Sequence, residues 1–166
     1  MCSFRKYHIG LWRYAKEFFE GAESIKDDLN VVKYYLYGHS IELALKSVLV
    51  FRGESEKNLK KDFGHNLLKL IDHVYKDNKR EFYDKRDLIR LLNTYYEKKM
   101  FEYIFEGYKK LPEMIELRDV CLEILLDCGK IIGVPKSQLY KLNKLKVNDI
   151  LRKMEQWSVL WGMSIQ

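Results

Sequence analysis

The sequence predicts an all-α protein: an up-and-down bundle of four to five main helices with a short helical extension at its C-terminal end. Two features carry that expectation. Only two prolines, Pro112 and Pro135, occur in 166 residues, so long stretches are free of the residue that breaks a helix outright. Apolar residues, with Leu and Ile among Lys and Glu, recur at helical spacing along most of the chain. A composition of 47% hydrophobic and 33% charged residues describes a folded chain, not a disordered one. At this length a single domain can enclose a real hydrophobic core.

The first helix is expected over about Tyr7 to Lys26, with Leu11, Tyr14, Ala15, Phe18, Phe19 and Ala22 as its apolar stripe. Asp27-Asp28 precede a second long helix, from about Leu29 to Phe51, which Gly53 closes. Glu54 to Phe63 has no apolar periodicity and reads as a polar loop. A third helix, starting at Asp62 or Gly64, carries His65, Leu67, Leu68, Leu70, Ile71 and Val74. Beyond a charged loop at Lys76 to Arg80, a fourth helix ends near Tyr96, with Phe82, Leu88, Ile89, Leu91, Leu92 and Tyr95 as its apolar set. The aromatic stretch Tyr95 to Tyr108 is irregular and reads as core or subunit interface rather than as a platform for stacked bases.

Pro112 suits the first turn of a fifth helix running to about Ile132, with Gly129 and Gly133 marking its end. Gly133-Val134-Pro135 is the boundary, dividing a bundle of residues 1–133 from an extension of residues 134–166. Leu139, Leu142, Leu145, Val147, Ile150 and Leu151 suggest one or two short helices there. Trp157, Leu160, Trp161 and Met163 form an apolar cluster expected to dock on the bundle or on a second subunit.

Several function classes are set aside by what the chain lacks. Neither GxxxxGK[ST] nor GxGxxG occurs, so no nucleotide-binding loop is written into it. Cys2, Cys121 and Cys128 give no disulfide framework and no metal spacing. Cys121 and Cys128, a heptad apart, read as small buried hydrophobes. No metal and no cofactor is expected. No apolar run is long enough to span a membrane, and Met1 to Lys6 lacks signal-peptide architecture, so a cytoplasmic protein is expected. The net charge of +6 favours a polyanionic partner only modestly, because the cations are mixed with acids along the chain.

The chemistry-bearing residues lie in two places. In Tyr37-Gly38-His39-Ser40-Ile41-Glu42-Leu43-Ala44-Leu45-Lys46-Ser47-Val48-Leu49, an apolar run carries His39, Glu42 and Lys46 at offsets that put all three on one helix face. A charge in such a run has to be paired, so Glu42 and Lys46 are expected to satisfy each other or a partner. Gly64-His65-Asn66-Leu67-Leu68-Lys69-Leu70 follows about one helical hairpin later. The plainest role for His65 is to cap or anchor the third helix, and for Glu42 and Lys46 to hold neighbouring helices in register. His39, Glu42, Lys46, His65 and Arg90 are the candidate binding residues; none is assigned as catalytic.

These two segments resemble the HEPN superfamily, small α-helical bundles associated with RNA and with bacterial toxin–antitoxin and defence systems. Gly38 to Lys46 is similar to the superfamily's core helix with Glu and, four residues on, Lys. Gly64 to Leu70 is similar to its G-H-x-L-x-x-L segment, and Phe101-Glu102-Tyr103, more weakly, to an Arg-Tyr element. The likeness covers about residues 30 to 110. The chain departs from the superfamily's ribonucleases, which carry Arg with His four to six residues later. Arg5 precedes His8 by only three, no Arg stands at that distance before His39, His65 or His73, and no histidine follows His73. Glu102 also stands where relatives tend to have Arg.

The resemblance therefore implies a non-catalytic module that binds RNA or a partner protein such as a cognate antitoxin, and that forms a homodimer. Two alternatives stay open. One is a divergent metal-independent endoribonuclease using His39 or His65 with Lys46 or Arg90. The other is a nucleotide- or small-molecule-binding bundle in which Glu42, Lys46 and His65 line a polar pocket.

Overall fold

Every regular element of the computed structural model, which describes residues 7–26, 30–76, 83–103 and 110–145, is helical. The elements are α1 (Tyr7–Ser24), α2 (Asn30–Phe51), a short α3 (Glu56–Asn58) that runs into a π-helical turn (Leu59–Phe63), α4 (Leu67–Val74), α5 (Tyr83–Tyr96), α6 (Met114–Ile131) and α7 (136–145). No strand occurs among the described residues. The protein is an all-α helical bundle. The sequence expectations on Met1 to Lys6, Cys2, Asp27-Asp28, Phe82, Phe105 to Tyr108, Val147 to Leu151 and the Trp157–Met163 cluster fall outside the described residues.

The centre of the bundle is α2, which packs against α1, α4, α5 and α6. Its apolar residues do not form a single stripe: Tyr34, Tyr37, Ile41, Ala44, Leu45, Val48 and Leu49 are all buried, and so are Ser40, Glu42 and Ser47. A helix that is apolar on most sides is stable in water only when neighbours cover those sides. The buried hydroxyls find acceptors, Ser40 in the Ala15 carbonyl at 2.7 Å and Ser47 in its own helix at Ala44.

Pairwise contacts fix the helix directions. Ser40 meets Ala15 and Phe51 meets His8, so α1 and α2 are antiparallel. Leu67 meets Asn93 and Asp72 meets Arg86, so α4 and α5 are antiparallel too. Between them the alternation breaks. His65 reaches Glu42, and Arg52 donates to the Val74 carbonyl at 2.8 Å, so α4 runs in the same direction as α2. The return is made by residues 52–66, expected from sequence as a polar loop. That stretch is itself partly helical: the Ser55 side chain caps Asn58 N–H, Leu59 is buried, and Phe63 packs against the core.

The first helix also differs from expectation in its inward face. Trp12, Ala15, Phe19 and Ala22 are fully enclosed, whereas Tyr14 is 60% exposed. Trp12 is inside because its indole N–H has a partner there, the Leu125 carbonyl of α6 at 2.8 Å, and a buried indole needs one. The opposite end of the α1–α6 contact is held by ions. Arg118 grips the Glu23 carboxylate with Nε and Nη2 at 2.8 and 2.7 Å, and Tyr37 donates to the same carboxylate at 2.5 Å.

The fifth long helix begins at Met114, not in the turn of Pro112; the Pro112 carbonyl is occupied by the Tyr34 hydroxyl at 2.5 Å. Gly133, at φ +77°, ends α6, and Val134 N–H bonds back to the Gly129 carbonyl. Gly129 is not a terminator. It sits inside α6 where Trp12 and Leu139 press closest, and a Cβ there would lie 2.7 Å from Leu139 Cδ2 and 2.9 Å from Trp12 Nε1. Cys121 and Cys128 are buried, and burial pushes both thiols up to about 12, so neither is a nucleophile at neutral pH.

Gly129→Ala is expected to push Trp12 off the Leu125 carbonyl and to cost about 1–3 kcal/mol. Urea denaturation followed by tryptophan fluorescence measures both effects, and an unchanged midpoint would show that the contact is not tight.

Candidate functional site

Three of the candidate residues picked out by sequence, His39, Lys46 and His65, gather around a fourth, Glu42. Its position on α2 is set by Gly38, one turn earlier. A Cβ at Gly38 would lie 2.6 Å from Tyr96 Cδ2 and 2.8 Å from Cε2, so only glycine lets the Tyr96 ring of α5 lie directly on the α2 backbone. From there the Tyr96 hydroxyl donates to Glu42 Oε2 at 2.6 Å. Lys46, a turn further along α2, donates to Oε1 at 2.5 Å. His65 Nδ1 lies 3.0 Å from Oε2, and His39 Nδ1 lies 2.9 Å from the Tyr96 hydroxyl.

His65 arrives on a turn, not on a helix. Sequence placed it within the third helix, but Asn66 is the N-cap, its side chain accepting from Lys69 N–H at 2.8 Å, and the helix starts at Leu67. Gly64, at φ +53°, turns the chain out of the π-helical turn. The same turn is tied to the end of α5 by two more bonds, and a third braces the residues that receive them. Asn93 Oδ1 accepts from Leu67 N–H at 2.7 Å, Asn66 Nδ2 donates to Glu97 at 2.9 Å, and Asn93 Nδ2 donates to the other Glu97 oxygen at 3.1 Å. His65 is thus an anchor, as expected, but one that fastens the turn to α2; the cap is its neighbour.

Proton accounting assigns the hydrogen bonds. Burial by itself would raise the Glu42 carboxyl, whose side chain is only 3% exposed. The Lys46 charge and hydrogen bonds from Lys46, Tyr96 and His65 outweigh it and hold the group below the usual carboxylate range. An ionised carboxylate only accepts, so Tyr96 spends its single proton on Glu42 and His65 donates from Nδ1. The Tyr96 oxygen is then the acceptor for His39 Nδ1–H. Both imidazoles therefore carry their proton on Nδ1. Burial, then the Glu42 charge, pushes the Tyr96 hydroxyl far up, which keeps it a donor.

The His39 ring is enclosed, stacked on Tyr35 at 5.8 Å and 11° and meeting Phe18 edge-on at 4.4 Å. Burial lowers its proton affinity more than Glu42 raises it. The Glu42 and Lys46 charges cancel each other, so that pair carries no net charge.

Of the residues expected at a site, the structure brings together His39, Glu42, Lys46 and His65, and leaves Arg90 apart. Arg90 lies exposed on α5 and pairs with Asp87 at 2.8 Å. Sequence reasoning missed Tyr96, Asn66 and Asn93. From sequence Tyr96 reads, with its neighbours, as an aromatic core or interface residue; its ring is buried, but its hydroxyl is the hub joining His39 to Glu42. The available signal was Gly38, a glycine in the middle of a strong helical run, which implies close approach of another group.

Among the described residues no group of three or more His, Cys, Asp or Glu is placed to hold a metal ion, and no described helix is long and apolar enough to cross a membrane. No family model matches the chain, and neither does any curated protein or solved structure.

Removing Glu42 leaves an ammonium, a phenol and an imidazole N–H without their acceptor, so Glu42→Ala is expected to cost about 3–5 kcal/mol. A urea midpoint close to wild type would rule out a structural role for the pair.

The network also sets the response to acid. An imidazole held below its ordinary 6.5 binds protons less readily folded than unfolded, so stability falls as the pH drops below 6.5. Glu42, held below 4.5, contributes stability that is present above 4.5 and is lost on further acidification. The thermal midpoint should fall in these two windows, and His39→Gln should flatten the first while leaving the second. A profile identical to wild type in that variant would exclude His39 as the source.

Proposed function

We propose that the chain is a HEPN-like helical bundle acting as a non-catalytic module. On this reading it pairs with a second copy and binds an RNA or a partner protein in a toxin–antitoxin or defence setting. The observation that carries the reading is the saturation of the Glu42 network. Both carboxylate oxygens, the Tyr96 hydroxyl and both Nδ1 atoms are consumed in bonds that fasten α2, the 63–66 turn and α5 to one another. Lys46 is spent on Glu42 and Arg90 on Asp87. Lys46 is therefore not free, and Arg90 does not stand beside the imidazoles, to meet the charge that builds on phosphorus during cleavage, where preorganised positive groups supply most of the acceleration. The missing Arg–His spacing in the sequence argues the same way.

A second reading, the divergent metal-independent ribonuclease, draws on one observation: His39 and His65 place Nδ1 4.0 and 3.0 Å from the same Glu42 oxygen. Two imidazoles set against one carboxylate oxygen have the make-up of an acid–base pair.

Incubation of the purified chain with a labelled RNA mixture in EDTA separates the two. The expected result is intact RNA with the wild type and with a His39→Ala/His65→Ala variant. Cleavage by the wild type that the double variant lacks would overturn the non-catalytic reading in favour of the second.

A further inference from the structure

All four histidines are described, and they differ in what holds them. His8 packs on Phe51 and His73 on Phe63, ring against ring. His39 is enclosed between Tyr35 and Phe18, with its side chain 23% exposed. His65 combines two properties found together at none of the others: its Nδ1 bonds a buried carboxylate directly, and its side chain is 42% exposed. The ring is steadied by the edge-on contact with Tyr96 at 6.3 Å and 81°.

We propose that His65 is a phosphoryl-acceptor histidine, its Nε2 taking a phosphoryl group from an N-phosphoryl or acyl-phosphate donor. Because Nδ1 keeps its proton and donates it inward to Glu42, the ring's lone pair is confined to Nε2, on the side away from Glu42. Attack by that lone pair forms the N–P bond while the donor's P–N or P–O bond breaks, the amine or carboxylate departing with the bonding electrons. No proton has to leave His65. The ring becomes an imidazolium whose Nδ1–H still faces the Glu42 carboxylate, so the positive charge that develops is met by a fixed negative one. Lys46, 2.5 Å from the other Glu42 oxygen, neutralises the carboxylate toward the incoming dianion. The group arrives on an ordered turn, held by the Asn66, Asn93 and Glu97 bonds, so the nucleophile is oriented before the donor binds.

The test uses the full chain and potassium phosphoramidate as donor at neutral pH, with sites mapped by mass spectrometry and the N–P bond identified by phosphorus NMR. The expected outcome is a single phosphohistidine at His65, formed several-fold faster than at His73 or His8. It is lost in His65→Ala, unchanged in His73→Ala and several-fold slower in Glu42→Gln, a variant checked for native helicity by circular dichroism. Should Glu42→Gln fail to fold, the ranking of His65 against His73 in the unaltered chain decides alone. Comparable rates at His65 and His73, no modification of His65, or an undiminished rate in folded Glu42→Gln would each overturn the proposal.

Discussion

A carboxylate almost wholly removed from water has to be compensated at both oxygens, and Glu42 is compensated from three separate elements. Lys46 comes from its own helix, Tyr96 from α5 and His65 from the turn before α4. A buried charge is expensive when its partners are imperfectly placed, so the bundle has to hold α2, α5 and the 63–66 turn at fixed separations. What looks like a polar defect in an apolar core therefore specifies how the helices sit around α2. A purely apolar seam would have tolerated a slide of one element past another more readily.

Two glycines set the spacing on either side of this core. At Gly38 the Tyr96 ring lies on the α2 backbone, and at Gly129 Trp12 and Leu139 lie on the α6 backbone. In both places an aromatic ring with one polar atom is brought close enough for that atom to reach a buried acceptor, Glu42 in one case and the Leu125 carbonyl in the other. Apolar packing and hydrogen bonding thus act at the same points, and a side chain at either glycine would disturb both together.

The all-α fold and the Glu42–Lys46 pairing were legible in the sequence because each follows from local spacing. Apolar periodicity located α1, α2, α4, α5 and α6 to within a few residues, and offsets of three and four put His39, Glu42 and Lys46 on one face. What was not legible depends on contacts distant in sequence. Trp12 displaces Tyr14 from the core only because α6 offers the Leu125 carbonyl. Tyr96 becomes a hub because Gly38, far earlier, leaves room for its ring. The helical return at residues 56–63 has only Leu59 and Phe63 as apolar content, so periodicity is silent there, and its capping by Ser55 was the available local sign.

The hydrogen bond from Trp12 to the Leu125 carbonyl joins residues 113 apart in sequence, which bears on how the chain is made. During synthesis α1 emerges with its indole and apolar face ready well before α6, the helix that completes its environment. The α1–α2 hairpin can form early from local contacts, but its second open side must wait for α6. Closure of the bundle is consequently a long-range event that waits for α6, and a nascent chain stalled before α6 presents exposed core that chaperones would have to shield.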